Sequence, residues 1–360
     1  MAASGASALS QQHDFTEGLN DKEREAFQIL QTLVRSGRLP PQVDLTGAPV
    51  ASAAAGSSKD KNAKQQEQDV VLTEQDIKFI DQACILRYLR ARNFHVPKSA
   101  RMLRESVEWR NSQGVYKLSI TTHPFIETSL ARANMYMNGR DKGGRPIIVL
   151  RPNIYHDPHS SEEKLFFMCY ALEQAFRTME PHIYQMTWVC SLDGYSMKHN
   201  GDLKFARELL NMLQNHNPER LGQAFFLDVP FLFRAAWKAM SPFIDEKTKS
   251  KVHFVANSNR TEYLAKYIDL DVLEACFGGT NRFQIDHHQY VKKMLDLEGV
   301  DHSTFKSTFG TEAPPKPRYS KTATNDIDPA EAAAARANLE KDAPDAAAEA
   351  EADAAAASAE

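Results

Sequence analysis

Basic side chains are the residues of this sequence whose type and spacing most clearly suit ligand binding. The window 84–110 contains seven Lys and Arg residues against two Glu residues. A positive helix face is often simply solvated, but its charge also suits a phosphate group, and both interpretations stay open. Nucleic acid is the weaker alternative, because aromatic residues do not alternate with the basic ones and no nucleic-acid-binding motif is present. The basic residues are Arg87, Arg90, Arg92, Lys98, Arg101, Arg104 and Arg110.

Motifs of enzyme chemistry are absent from the sequence. It contains no GxGxxG, GxxxxGK[ST], GxSxG or HExxH pattern and no close Cys/His cluster with metal-ligand spacing. His287 and His288 are adjacent, so their side chains diverge, which favours a surface position for this pair. The four cysteines lack CxxC spacing and are typical of reduced, buried thiols. We therefore predict a protein that is not an enzyme and that holds neither a metal nor a cofactor.

One predicted helix, residues 231–244, is apolar on almost every side. Its polar residues Arg234, Lys238 and Ser241 form a single stripe at i, i+4 and i+7. The helix is therefore either a core helix of a large domain or a movable lid over an apolar cavity. As a lid it contacts a membrane through Arg234 and Lys238, which suit anionic headgroups. The predicted cavity and gate residues are Phe225, Phe231, Phe233, Trp237, Met240, Phe243 and Ile244.

Strand and helix patterns alternate around this segment. Short apolar runs at 225–229 and 252–255 predict buried strands on both sides of the helix. Further strands at 146–151 and 187–192 each precede a helical pattern, and Ser160 with Glu163 predicts the capping box of the first of these helices. This alternation predicts an α/β fold with a mostly parallel sheet.

The remainder of the chain divides by composition. Thr73 with Asp76 predicts the capping box of a helix, and the apolar stripes that follow predict an all-helical lobe. No apolar run reaches the length of a membrane span and no secretory leader is recognisable, so a cytoplasmic location is expected. The predicted parts are a largely disordered region 1–70 with one candidate helix, a helical lobe 71–135, an α/β lobe 136–300 and a disordered Ala-rich, acidic tail 301–360.

Five segments in this order and spacing resemble the CRAL-TRIO lipid-transfer proteins, particularly the phosphatidylinositol/phosphatidylcholine transfer type. They are ILRYLRARNFHV at 85–96 with Trp109 and Arg110, DKGGRPI at 141–147, NHNPERLG at 215–222, the lid helix with SPFIDEKTKSKV at 241–252, and FGG at 277–279. The resemblance covers about residues 73–285. It implies a helical lobe followed by an α/β lobe with an apolar lipid cavity closed by a helical gate.

The resemblance also implies which residues bind the lipid headgroup, namely Arg92, Glu219, Thr248 and Lys251. Arg and Lys can neutralise a phosphodiester, while the Glu and Thr side chains can bond inositol hydroxyls. A cap or a local ion pair after Pro218 is the alternative role of Glu219. The implied second lipid is phosphatidylcholine or a sterol, with Tyr136 and Ser196 as its candidate polar contacts.

The function predicted from these patterns is non-enzymatic carriage of phosphatidylinositol, and of a second lipid, between membranes. The expected partners are a bound phospholipid as ligand and a membrane surface that the protein contacts peripherally and transiently. We expect a monomer and no nucleic-acid partner. The alternative from a different class is a lipid-sensing regulatory or scaffold protein that transfers no net cargo.

Overall fold

The computed structural model describes residues 14–50, 68–151, 159–193 and 203–310. The chain divides into two units, which are described separately. The first unit consists of Met1–Leu118, Met179–Tyr184 and Lys204–Arg220, and the second of Ser119–Thr178, Gln185–Leu203 and Leu221–Glu360. Residues 1–13 and 51–67 of the predicted disordered region 1–70, and residues 311–360 of the predicted tail 301–360, lie outside the described residues.

The first unit is helical, as the sequence predicts. It contains α1 (Asp21–Arg35), β1 (Arg38–Leu39), β2 (Val70–Val71), α2 (Glu74–Phe79), α3 (Gln82–Arg90), α4 (Val96–Ser112), most of α7 (Leu203–Asn211) and the π-helical turn Met212–His216. The predicted capping box at the start of α2 is present. The Thr73 side chain accepts a hydrogen bond from the Asp76 backbone N–H, and the Asp76 side chain accepts one from the Thr73 backbone N–H. Strands β1 and β2 form a short antiparallel pair.

The first helix is part of the core of the first unit. Phe27 and Leu30 of α1 are buried in the same apolar cluster as Leu89 of α3 and Leu103 of α4. The chain at 14–50 therefore contributes to this core, whereas the helical lobe was predicted to start at residue 71. Its apolar stripe was visible in the sequence, but its packing partners lie more than 50 residues away.

The second unit is built on a five-stranded sheet within the described residues. Its elements are α5 (Pro124–Ala131), β3 (Met135–Arg140), β4 (Pro146–Leu150), α6 (Ser161–Arg177), β5 (Met186–Ser191), β6 (Leu221–Leu227), α8 (Phe231–Met240), α9 (Glu246–Lys249), β7 (Val252–Phe254), α10 (Arg260–Ala265) and α11 (His287–Glu298). The strand order is β3-β4-β5-β6-β7. Strand β3, which the sequence analysis did not predict, is antiparallel to β4, and the other pairs are parallel. The predicted α/β class with a mostly parallel sheet is thus confirmed.

Cross-strand pairing assigns side chains to the two faces of this sheet, because successive residues of a strand point to opposite faces. One row of paired residues, which we call the Tyr136 face, is Tyr136, Val149, Val189, Phe225 and His253. The row on the opposite face, the Phe226 face, is Met135, Leu150, Cys190, Phe226 and Phe254. Among the described residues, no helix is both long and apolar enough to cross a membrane.

Candidate functional site

The basic residues of the window 84–110 do not form one solvated face. Arg87 and Arg110 are each 2% exposed, and the guanidinium of Arg110 lies 3.9 Å from the ring centroid of Phe79. Arg104 is also buried and forms an ion pair with Glu108 at 2.9 Å. These three arginines therefore belong to the interior of the first unit, where the cost of burying charge is offset by stacking and hydrogen bonds.

The turn that carries Glu219 is held by the helices of the first unit. Arg87 Nη1 donates to the carbonyl of Pro218 at 3.0 Å, and Tyr88 donates to the carbonyl of His216 at 3.1 Å. The ring of His216 also stacks on Trp109, with centroids 4.4 Å apart and planes 4° apart. Residues of the 85–96 motif and Trp109 thus hold the turn of the 215–222 motif, which lies more than 100 residues later in the sequence. Sequence reasoning missed the anchoring roles of Arg87, Tyr88 and Trp109.

Glu219 and Arg92, the predicted headgroup residues of the first unit, both lie at irregular backbone. Glu219 has φ of 58°, in the left-handed region that a non-glycine residue seldom adopts, so the anchored turn imposes its conformation. Arg92 is half-buried just after α3 and donates from Nη1 to the carbonyl of Ala91 at 3.0 Å. The two residues that follow it, Asn93 and Phe94, also have positive φ values.

Thr248 and Lys251, the predicted headgroup residues of the second unit, lie in and just after the short helix α9. Asp245 caps this helix by accepting from the Thr248 backbone at 2.8 Å and from the Thr248 hydroxyl at 2.7 Å. Lys251 is half-buried and donates from Nζ to the carbonyl of Leu221 at 2.9 Å. The Thr248 oxygen keeps acceptor capacity.

The predicted lid corresponds to α8 and the 3-10 turn Ser241–Phe243 that follows it. Its residues Phe233 and Trp237 contact Phe226, with ring centroids 5.5 and 6.1 Å apart. Trp237 also packs edge-on against Phe254. The helix therefore lies on the Phe226 face of the sheet, and its aromatic side chains meet the aromatic side chains of β6 and β7.

The outer surface of α8 combines an apolar residue with two cations. Phe231 is 81% exposed, which is unusual for a phenylalanine, and Arg234 and Lys238, the predicted membrane contacts, are also exposed. The guanidinium of Arg234 lies 5.5 Å from the ring centroid of Phe254. Ile244 is buried. The side chains of Met240 and Phe243, also predicted for the gate, lie outside the described residues.

Phe225 and Tyr136 lie on the opposite face of the sheet from α8. Phe225, predicted for the gate, stacks on His253 at 5.0 Å and contacts Tyr267 at 4.9 Å. The residue of this strand that contacts α8 is its neighbour Phe226, because successive side chains of a strand point to opposite faces. This alternation was visible in the sequence, but a strand covered on both faces gives no sign of which residue faces which layer.

The hydroxyl of Tyr136, predicted as a contact of the second lipid, forms a hydrogen bond with a buried side chain of the protein. It donates to Glu274 Oε2 at 2.8 Å, and Asn138 donates to the other carboxylate oxygen at 2.8 Å. Burial raises the pKa of Glu274 and raises the pKa of Tyr136 well above its usual value. Ser196, the other predicted contact, lies outside the described residues.

Two further motifs of the resemblance have structural roles. In DKGGRPI, Asp141 accepts from the backbone of Gly143 and Arg145 and from the Thr187 hydroxyl at 2.6 Å, which fixes the β3–β4 turn against β5. In FGG, a β-carbon on Gly279 would lie 1.9 Å from the carbonyl oxygen of Leu273, so only glycine fits there. Among the described residues, no three His, Cys, Asp or Glu side chains group as metal ligands.

Family models match the two parts of the chain that the fold defines. The model of the CRAL/TRIO N-terminal domain matches residues 57–105, and that of the CRAL/TRIO domain matches residues 131–279. Together these ranges cover more than half of the sequence. The chain belongs to the CRAL-TRIO family, which binds and transfers lipids.

Three relatives illustrate how far the similarity extends. A CRAL-TRIO domain-containing protein of Schizosaccharomyces pombe is 30% identical over 226 residues, 63% of this chain and 21% of that protein. The SEC14 cytosolic factor of Eremothecium gossypii is 26% identical over 265 residues, 67% and 86% of the two chains. The phosphatidylinositol transfer protein PDR17 of Saccharomyces cerevisiae is 26% identical over 234 residues, which are 61% of this chain and 64% of that protein. This chain therefore spans about a fifth of the S. pombe relative.

Among solved structures, the crystal structure of Sfh5 aligns with a TM-score of 0.47 and 15% sequence identity. The alignment covers 78% of this chain and 99% of that chain.

Proposed function

We propose that this protein is a non-enzymatic carrier that takes phosphatidylinositol from one membrane to another. The observation that carries the proposal is the two-sided character of α8. Its inner aromatic residues Phe233 and Trp237 lie on the Phe226 face of the sheet, while Phe231, Arg234 and Lys238 face outwards. A helix with this distribution can exchange its contacts with the sheet for contacts with a bilayer.

In the proposed mechanism, α8 opens when the outer residues meet an anionic membrane surface. Phe231 inserts among the acyl chains, and Arg234 and Lys238 contact headgroups, each contributing ~1 kcal/mol. The acyl chains of the cargo then occupy the apolar Phe226 face, and closure of α8 shields them from water. Enclosing two acyl chains removes several hundred Å² of apolar surface from water, worth on the order of 10 kcal/mol at ~25 cal/mol/Å². Release therefore requires a second membrane.

The headgroup residues in this proposal are Lys251 and Thr248, both in the second unit. The ammonium of Lys251 suits the phosphodiester, and the Thr248 oxygen suits an inositol hydroxyl. The relative PDR17 is named a phosphatidylinositol transfer protein, which supports the choice of this headgroup. The association with membranes is peripheral and transient, and between membranes the loaded protein is cytoplasmic and monomeric.

Native mass spectrometry of the full chain tests this function. The protein is incubated with vesicles of mixed phospholipids including phosphatidylinositol, separated from them and weighed intact. The expected result is a mass increase equal to one phosphatidylinositol molecule. Exclusive loading of a different phospholipid overturns the headgroup assignment. A chain that stays empty overturns the carrier and favours a regulatory or scaffold protein without net transfer.

A further inference from the structure

The C-terminal end of the described chain contacts two helices of the second unit, α5 and α11. Glu127 of α5 accepts from Ser307 Oγ at 2.5 Å and from the Thr308 backbone N–H at 2.6 Å. The ring of Phe309 packs edge-on against His287 of α11, with centroids 5.2 Å apart. We call residues 307–309 the strap, and the site on α5 and α11 where they contact Glu127 and His287 the strap cleft.

Glu127 is a buried carboxylate, 1% exposed, and the strap supplies its hydrogen-bond donors. Burial opposes ionisation, but the bonds from Ser307 and Thr308 outweigh this effect and hold the pKa of Glu127 below its usual value. The third neighbour is Nε2 of His287, 3.5 Å from Oε1, beyond hydrogen-bond distance. Losing the Ser307 and Thr308 bonds while Glu127 stays buried would be costly, so these bonds stabilise the seated strap.

The chemistry of the cleft defines what such an occupant must be. The first position needs a hydroxyl that donates to the carboxylate, as Ser307 does. The second needs a backbone N–H, which excludes proline, and Thr308 also brings a side-chain hydrogen bond to Glu127. The third needs an aromatic ring that packs edge-on against the buried His287, as Phe309 does.

We propose that the strap cleft is a peptide-binding site for the pattern Ser–X–Phe, where X is not proline, and that the chain fills it in cis with residues 307–309. A phosphoserine at the first position replaces the donated proton with a dianion that faces the buried carboxylate of Glu127. The repulsion between the two negative charges, together with the loss of the hydrogen bond from Ser307 to Glu127, then prevents the phosphorylated segment from binding in the strap cleft.

Binding in trans tests the proposal with the full-length protein. The double variant Ser307→Ala/Phe309→Ala empties the cleft, and a dye-labelled synthetic peptide with the sequence of residues 301–310 is titrated with it by fluorescence anisotropy. The peptide is expected to bind the variant more tightly than the unaltered chain, whose cleft is already filled. Replacing Ser307 by Ala in the peptide weakens binding about ten- to hundredfold, the usual effect of losing a hydrogen bond to a charged group.

Two further peptides test the chemistry of the cleft, and one serves as a control. The Thr308→Pro peptide and the peptide with phosphoserine at 307 are expected to show no binding, because one lacks the N–H and the other carries the dianion. The Lys306→Ala peptide is the matched control, since Lys306 is exposed, and it binds like the original. Equal binding of all these peptides, or no binding of the original peptide to the double variant, overturns the proposal.

Hydrogen exchange checks that the strap is seated in the unaltered chain. The amide of Thr308 is expected to exchange more slowly there than in the double variant, because Glu127 accepts its hydrogen bond. Equal exchange rates in the two proteins mean that the cleft is not occupied in cis, and the proposal then fails.

Discussion

Asp228 accepts a hydrogen bond from the guanidinium of Arg260 at the point where β6 ends and the chain turns into α8. The same carboxylate accepts from Ser191 Oγ, at the end of the neighbouring strand β5, at 3.1 Å. Asp228 adopts φ of 54°, a left-handed conformation that Asp and Asn tolerate better than other side chains. One residue therefore joins two strand ends and α10 to the start of the proposed lid.

Asp228→Ala is expected to destabilise the fold by about 2 kcal/mol, because it loses both hydrogen bonds and places alanine in the left-handed region. Asparagine tolerates the left-handed backbone conformation and keeps one acceptor oxygen, so we expect Asp228→Asn to destabilise the fold less than Asp228→Ala. Thermal unfolding of both variants measures the difference. Hydrogen exchange should also be faster in α8 of the Ala variant than of the Asn variant. If the two variants behave alike, the carboxylate does not hold the start of α8.

Phe231→Glu is expected to slow lipid transfer between vesicles roughly tenfold or more while leaving the unfolding temperature unchanged. Phe231 is 81% exposed, so the fold gains little from it, whereas insertion into a bilayer buries its ring. Ile77→Glu is the matched control, because Ile77 is an exposed apolar residue of the first unit. Equal effects of the two substitutions would contradict a membrane role specific to α8.

Trp237→Glu is expected to behave differently from Phe231→Glu. Trp237 packs on Phe226 and Phe254, so a carboxylate at this position disrupts the aromatic contacts beneath α8. The unfolding temperature should fall. The variant should also lose lipid that it already holds, in addition to transferring lipid more slowly. Calorimetry and retention of preloaded lipid measure the two effects. An unaltered unfolding temperature would mean that α8 does not lie stably on the sheet.

Lys251→Ala is expected to weaken retention of phosphatidylinositol about ten- to hundredfold, the usual loss when a charged partner of a phosphodiester is removed. Lys247→Ala is the control, since Lys247 is exposed on the same short helix. Transfer of labelled phosphatidylinositol between vesicles measures both variants. Retention of a lipid with an uncharged headgroup should change little in Lys251→Ala, and an equal loss for both lipids would indicate damage to the fold instead.

The stability of the first unit is expected to fall on acidification through His216. Burial, together with the nearby Arg110 charge, lowers the pKa of His216 from 6.5 to about 4. Between about pH 6.5 and about pH 4, His216 is protonated in the unfolded chain but neutral in the folded chain. The free energy of unfolding therefore falls as the pH decreases through this window. His216→Phe keeps a ring to stack on Trp109 and removes the titration. Denaturant unfolding at several pH values should show a shallower pH dependence for the variant, and equal slopes would refute the assignment.

Local patterns in the sequence determined most of the secondary structure. The capping boxes Thr73–Asp76 and Ser160–Glu163 form as predicted, because their hydrogen bonds join residues three positions apart. The alternation of strand and helix fixed the α/β class and the mostly parallel sheet, because a parallel pair requires a crossover connection. Strand β3 was missed, since its short apolar run Met135–Met137 directly follows a helical pattern and carries no turn signal before it.

Tertiary structure alone decided which side chains meet. The sequence could not separate the buried Arg87 and Arg110 from the exposed basic residues, because their partners come from other elements. Nor could it assign Phe225 and Phe226 to their layers, since both faces of a parallel strand are apolar. Glu127 and Ser307 are 180 residues apart and have no shared pattern. Periodicity and capping report on neighbours along the chain, whereas these contacts depend on how the folded elements pack against one another.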